Sequence, residues 1–92
     1  MSGATVDLVP LGNADLLGEL AMWSREYHRA FVASAAAADR RAKLPAGASR
    51  ARVTTANANW ASQAEHRDLC QRRLADVVAE CQRRALLSGG AR

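Results

Sequence analysis

The sequence has few aromatic residues, a single lysine, two cysteines and no long apolar run. Only two Trp, one Tyr and one Phe are aromatic, although 49% of the 92 residues are hydrophobic. Much of that hydrophobic fraction is alanine, which favours helix but buries little area. The composition therefore predicts well-formed helices around a thin core. A chain of this size usually gains stability by oligomerising or by binding another protein.

No apolar run approaches the roughly 20 residues that a membrane-spanning helix needs. The longest, residues 30–38, ends at Asp39. The first residues also lack the basic start and the apolar stretch of a signal peptide. We therefore expect a cytoplasmic protein that does not bind a membrane.

The two cysteines, Cys70 and Cys81, lie on one predicted helix. Their spacing is close to three turns, so the thiols would share a face about 16 Å apart and could not form a disulfide with each other. We expect buried, reduced thiols. A symmetric disulfide between two chains is the alternative.

The sequence contains no catalytic constellation, no metal-ligand spacing and no phosphate-binding loop. His28 and His66 would lie close together in a closed hairpin, one turn from Cys70, but nothing supplies a fourth zinc ligand. Glu65 and His66 point about 100° apart on a helix and so do not form an acid–base pair. We expect no enzymatic activity, no metal and no cofactor.

Two long segments have helical periodicity. Between residues 14 and 44, apolar and small residues recur at alternating steps of four and three, until Pro45 and Gly47 end the pattern. From about residue 52 to residue 87 the same spacing returns, and it stops at Ser88-Gly89-Gly90. The sequence therefore predicts an all-α fold, an antiparallel two-helix hairpin with helices at about 14–44 and 52–87.

The helix ends follow from the polar residues around them. Asn13 is the predicted cap of the first helix, and a hydroxyl between Ser49 and Thr55 caps the second. Along the second helix, charged residues recur at four-residue steps from Asp68 to Arg84, and three of the four steps join opposite charges, which is typical of a solvated face. The whole chain is one predicted domain, with an extended lead-in over residues 1–12, a basic turn over 45–52 and a flexible tail over 88–92.

Folding the two helices about a turn near Ala48 pairs residues whose numbers sum to about 97. The expected pairs are Trp60 with Ala37, Trp23 with Leu74, Leu20 with Val77, and Leu16 with Cys81. The large Trp60 thus meets the alanine tract of the first helix, and this agreement favours a hairpin over two separate helices. Two helices cover only one side of each other, so a homodimer that forms a four-helix bundle, or a protein partner, is expected to complete the core.

Basic residues are concentrated at the turn, where Asp39 is the one acidic residue. They are Arg40, Arg41, Lys43, Arg50 and Arg52. This cluster predicts contact with an acidic protein surface or with phosphate. The alternative is a solvated basic tip in which Lys43 pairs with Asp39.

Other candidate partner-binding residues lie outside the basic cluster. They are Asn57 near the turn, Phe31 on the rim of the first helix, and Val6, Leu8 and Val9 in the lead-in. The apolar lead-in either packs across the open end of the hairpin or docks on another protein.

The leading hypothesis is a non-enzymatic protein-binding module, an adaptor, assembly factor or inhibitor that acts through its helix faces and basic turn. Its size fits a phage or mobile-element product. The alternative is a nucleic-acid-binding regulator that uses the arginine-rich turn. The architecture is similar to small RNA-binding plasmid regulators, secretion-system substrates and their chaperones, and phage-encoded inhibitors. The Trp-x-Gly turn of one secreted group is absent, because Trp60 is followed by Ala61-Ser62, and a shared shape does not transfer function.

Overall fold

A computed structural model of the chain describes residues 8–87, which form two long α-helices packed against each other. Helix α1 spans Asn13–Ala42 and helix α2 spans Arg50–Arg83. Residues 8–87 contain no strand. The predicted antiparallel hairpin is therefore confirmed. The predicted tail over 88–92, and the lead-in before residue 8, lie outside the described residues.

The N-terminus of α1 differs from the prediction by one residue. Gly12 occupies the cap position, and its carbonyl accepts a hydrogen bond from the backbone N–H of Leu16 at 2.9 Å. Asn13, the predicted cap, is instead the first helical residue. Its Oδ1 accepts a hydrogen bond from Arg84 at 3.1 Å. Asn13 thus belongs to a connection between the two ends of the chain, which local spacing does not reveal.

The turn between the helices is set by Pro45 and Ser49. The residue before a proline is disfavoured in helical conformation, and α1 ends at Ala42, two residues before the predicted end. Helix α2 begins at Arg50, two residues before its predicted start. The backbone N–H of Ala48 donates to the carbonyl of Pro45 at 2.9 Å. The hydroxyl of Ser49 then caps α2 by accepting from the N–H of Arg52 at 3.2 Å. The cap lies at the first position of the range that the sequence left open.

Helix α2 ends at Arg83, four residues earlier than predicted. Ala85 adopts the left-handed conformation, with φ of 58°, and the N–H of Leu86 reaches back to the carbonyl of Cys81 at 2.9 Å. This is the Schellman arrangement, which turns the chain sharply after a helix. It directs Leu86 and Leu87 onto the apolar core. The burial of two leucines therefore ends α2 before the glycines are reached.

The core lies at the open end of the hairpin, away from the turn. Its fully buried residues are Leu8, Leu16, Val77 and Cys81, and the half-buried residues around them are Leu11, Leu20, Trp23, Leu86 and Leu87. Leu8 comes from the lead-in, so this residue packs across the open end and does not form an exposed docking contact. The expected pairs Leu16 with Cys81 and Leu20 with Val77 lie within this cluster.

A buried ion pair fastens the lead-in to the end of α2. The side chain of Glu80 is 2% exposed, and its Oε2 accepts a hydrogen bond from Nε of Arg84 at 2.7 Å. The other nitrogens of Arg84 donate to the carbonyls of Leu11 at 2.7 Å, Val9 at 3.0 Å and Leu8 at 3.1 Å. One guanidinium thus satisfies three main-chain acceptors that are not bonded within either helix. The expectation of a solvated charge row is therefore wrong at this end of α2.

Glu80 also accepts hydrogen bonds from Arg83, at 3.0 Å between Arg83 Nε and Oε1. The hydrogen bonds from Arg83 and from Arg84 lower the pKa of Glu80 from its ordinary value of 4.5 to about 2, although burial acts in the opposite direction. The carboxylate therefore stays ionised under all but strongly acidic conditions.

We expect the stability of the protein to fall as the pH is lowered from about 5 to about 2. Because the pKa of Glu80 is lower in the folded chain, the unfolded chain takes up this proton first, and the contribution of the ion pair is lost through that window. Urea unfolding at a series of pH values measures the effect. Glu80→Gln should flatten the dependence, whereas Glu65→Gln, which removes an exposed carboxylate of α2, is the matched control. An unchanged slope in Glu80→Gln would contradict the expectation.

Ala85→Gly should stabilise the protein by about 0.5–1 kcal/mol, because glycine adopts the left-handed conformation without a Cβ clash. Ala79→Gly, at an exposed position inside α2, should instead destabilise it by about 1 kcal/mol. Chemical denaturation of the two variants and the parent checks both signs. A loss of stability in both variants would show that the backbone at Ala85 is not strained.

Candidate binding groove at the turn end

At the turn end of the hairpin, several of the side chains between the helices are small. Ala37 of α1 and Ala51 and Ala56 of α2 line the space between the helices here, and their small side chains leave part of that space unfilled. The result is an open groove of about 530 Å³. We call it the turn-end groove, and its lining residues are Ala37, Arg40, Leu44, Ala51, Arg52, Thr55, Ala56 and Asn59.

The turn-end groove has an apolar floor and two arginines, one from each helix. Arg40 lies in the last turn of α1, and Arg52 lies in the first turn of α2. Within residues 8–87 neither guanidinium has an ion-pair partner. The first turn of α2 contains no acidic residue, so Arg52 adds its charge to the positive end of the helix dipole. The site therefore favours an anionic ligand.

The other predicted cations lie outside the groove. Nζ of Lys43 is 3.0 Å from Oδ2 of Asp39, as expected for a solvated helix pair. The guanidinium of Arg41 lies 4.3 Å from the ring centre of Trp60, which is a cation–π contact. Arg50 is the exposed first residue of α2. The basic cluster is therefore divided among a groove, an aromatic ring and an ion pair.

The remaining candidate residues are spread over the molecule. Asn57 is exposed outside the groove, whereas Asn59 lines it, because two residues along a helix differ by about 200° in direction. Phe31 is 51% exposed and Val9 is 55% exposed, both far from the groove in sequence. Val6 lies outside the described residues.

The register predicted from the sequence is consistent with the residues that line the groove, but the sequence did not predict the groove. Its lining residues pair as Ala37 with Asn59, Arg40 with Ala56, and Leu44 with Arg52. Each pair sums to 96, close to the predicted value. Trp60, which was expected opposite Ala37, lies under Arg41 and does not line the groove. The spacing identified the facing positions, but it did not show that the space between them stays open.

The histidines and cysteines do not form a chemical site. Nε2 of His66 is 3.6 Å from Sγ of Cys70, while His28 lines a separate shallow depression on α1. No group of three His, Cys, Asp or Glu side chains within residues 8–87 is placed to hold a metal. Cys70 and Cys81 are free and buried, and burial raises the pKa of both thiols. Protonated, covered thiols are poor nucleophiles.

Comparison with known proteins finds no matching family model, no matching curated protein and no matching solved structure. Neither helix of the described part of the chain has an apolar stretch long enough to cross a bilayer. The function has to be inferred from the surfaces of the hairpin itself.

Proposed function

We propose that the protein is a non-enzymatic protein-binding module that holds an acidic segment of another protein in the turn-end groove. The observation that carries the proposal is the pair of arginines without ion-pair partners, Arg40 and Arg52, on the two sides of an apolar floor. A guanidinium binds a carboxylate through two parallel hydrogen bonds, which fixes direction as well as charge.

The composition of the groove favours a peptide segment over a polyanion. Ala51, Ala56 and Leu44 offer apolar contact that small side chains of a bound segment can cover, and Thr55 and Asn59 offer hydrogen bonds to its main chain. A phosphate backbone presents a regular row of charge and no apolar surface of this kind. The groove matches a segment in which carboxylates flank small apolar residues.

A module of this kind acts by occupying a surface of its partner, as an adaptor, assembly factor or inhibitor does. We place it in the cytoplasm, a reducing compartment in which free cysteines are the rule. The free, buried thiols of Cys70 and Cys81 are compatible with that compartment.

Arg40→Ala combined with Arg52→Ala should weaken partner binding at least tenfold, since losing a hydrogen bond to a charged group costs about 1.5–3 kcal/mol. The tagged protein and its variants are used to capture proteins from an extract of the native cell, and captured proteins are quantified by mass spectrometry. Arg25→Ala combined with Arg72→Ala removes the same charge from exposed positions away from the turn and is the control. Equal capture by both double variants would refute the proposal.

A nucleic-acid-binding regulator is the second candidate. The observation that favours it is the presence of three arginines, Arg40, Arg50 and Arg52, at one end of the molecule and without ion-pair partners among residues 8–87. The formal net charge of +4 would add a long-range attraction to any polyanion.

If this second candidate is right, binding to generic duplex DNA or to RNA should weaken steeply as salt is raised, since each phosphate contact releases counterions. Arg50→Ala combined with Arg52→Ala should reduce the slope of log affinity against log salt by about 2. Fluorescence anisotropy of labelled oligonucleotides measures both quantities. Absence of salt-sensitive binding to either nucleic acid would exclude this candidate.

A further inference from the structure

The hairpin has a second broad face, opposite the one that holds the groove. Phe31 and Arg40 are nine residues apart on α1, about two and a half turns, so they project from opposite sides of the helix. Trp60 and Ala51 have the same spacing on α2. Because Arg40 and Ala51 line the groove, Phe31 lies on the opposite face. The half-buried Trp60 lies at the border of that face, since Ala56, one turn before it, also lines the groove.

This second face is apolar and contains three of the four aromatic residues of the chain. Helical spacing places six large residues on it, and we call it the aromatic face: Leu17, Tyr27, Phe31, Trp60, Leu74 and Val78. Leu17 is 41% exposed and Phe31 is 51% exposed, and the rings of Tyr27 and Phe31 are 6.2 Å apart. Enrichment in aromatic residues and depletion of charge are typical of the buried part of a protein–protein interface.

The charged side chains at the aromatic face already have partners within the chain. Arg67 lies within the face, between Trp60 and Leu74 at seven-residue spacing, and is 3.2 Å from Oδ1 of Asp68. Arg41 is stacked on Trp60. A partner that covers this face therefore has no isolated carboxylate or guanidinium to bury, which removes the main cost of covering it.

Side-chain size changes along the aromatic face in a way that suits an inverted copy of itself. From Phe31 toward the turn, steps of four, three and four residues reach Ala35, Ala38 and Ala42. In the other direction, alternating steps of four and three pass Tyr27, Ser24 and Leu20 to Leu17, and all of these except Ser24 are large. If a second copy is inverted about Phe31, the large end of each meets the alanines of the other. A two-fold contact requires this self-complementarity.

We propose that a second copy of the chain covers the aromatic face through an antiparallel two-fold contact centred near Phe31. The stretch from Leu17 to Ala42 spans about 37 Å of helix, and the hairpin is 28 Å wide. Such a contact buries on the order of 800–1,000 Å² per copy, the size of a stable interface. The proposal does not depend on the turn-end groove, which stays open on the outer side of the resulting four-helix bundle.

The mass of the protein in solution tests the proposal, and light scattering during size-exclusion chromatography should give twice the chain mass of 9.8 kDa. Phe31→Glu should weaken association at least tenfold and shift the protein to the monomer. Val32→Glu is the matched control, because Val32 is 53% exposed, as Phe31 is 51% exposed, but points about 100° away from it. A monomeric parent protein overturns the proposal, and so does an equal effect of the two variants.

Cross-linking through single added cysteines tests the antiparallel geometry. Phe31→Cys chains should form an intermolecular disulfide on mild oxidation, since the two copies of residue 31 lie near the two-fold axis. Leu17→Cys chains should not, because the two copies of residue 17 would be about 40 Å apart. The parent protein is the control, since Cys70 and Cys81 are both buried. A disulfide in Leu17→Cys, or none in Phe31→Cys, overturns the antiparallel arrangement.

Discussion

Two packed α-helices bury only the stripes along which they touch, so a 92-residue hairpin has few positions from which to build a core. The described chain adds core residues from outside the helices at one end of the hairpin only. Leu8 from the lead-in and Leu86 and Leu87 after α2 join Leu16 and Val77 of the helices. The open end thereby gains a third layer of chain, and the turn end has none. The difference in packing between the two ends is what leaves room for a groove.

The third layer requires main-chain groups to be buried outside any helix. Arg84 makes this possible, since its guanidinium donates to three carbonyls of the lead-in while Glu80 balances its charge. A buried ion pair often costs as much desolvation energy as it returns, unless its remaining hydrogen-bonding groups are satisfied. Here Arg83 supplies further donors to Glu80. The main role of the ion pair is therefore to hold the lead-in over the core. The ion pair stabilises the protein because it keeps this segment packed.

Periodicity and breakers were sufficient to predict the hairpin, its turn and a register within one residue of the groove pairs. They were not sufficient for features that depend on chain segments far apart in sequence. Glu80 and Arg84 fit a solvated row at four-residue spacing, but in the structure Glu80 is buried and Arg84 bonds to the lead-in, which lies more than 70 residues away in sequence. The left-handed position at the end of α2 is Ala85 and not a glycine, so the sequence pattern does not indicate it. Its conformation goes with the packing of Leu86 against the core.

The groove is a harder case for sequence analysis, because it consists of missing volume. A tryptophan opposite Ala37 predicts that the space between the helices is filled. Whether it is filled depends on the direction of the indole ring. In the structure the Trp60 ring lies under Arg41, so the same contact that removes Arg41 from the groove also keeps the groove open. Asn59 lines the groove and Asn57 does not, because two residues along a helix differ by about 200° in direction. Residue identity indicated a basic turn, and side-chain direction decided which of its arginines share a site.

The two proposed surfaces lie on opposite sides of one layer of helices, and this has a consequence for binding strength. In an antiparallel dimer centred near Phe31, the two grooves face outward and lie roughly 30 Å apart along the bundle. A partner with two acidic segments, or a partner that is itself dimeric, could then occupy both. The second contact would form at an effective concentration set by the linker, so weak single contacts could combine into tight binding. A shallow groove whose only charged residues are Arg40 and Arg52 binds a single segment weakly. Self-association through the aromatic face would bring two such grooves together and so raise the overall affinity for a partner with two acidic segments.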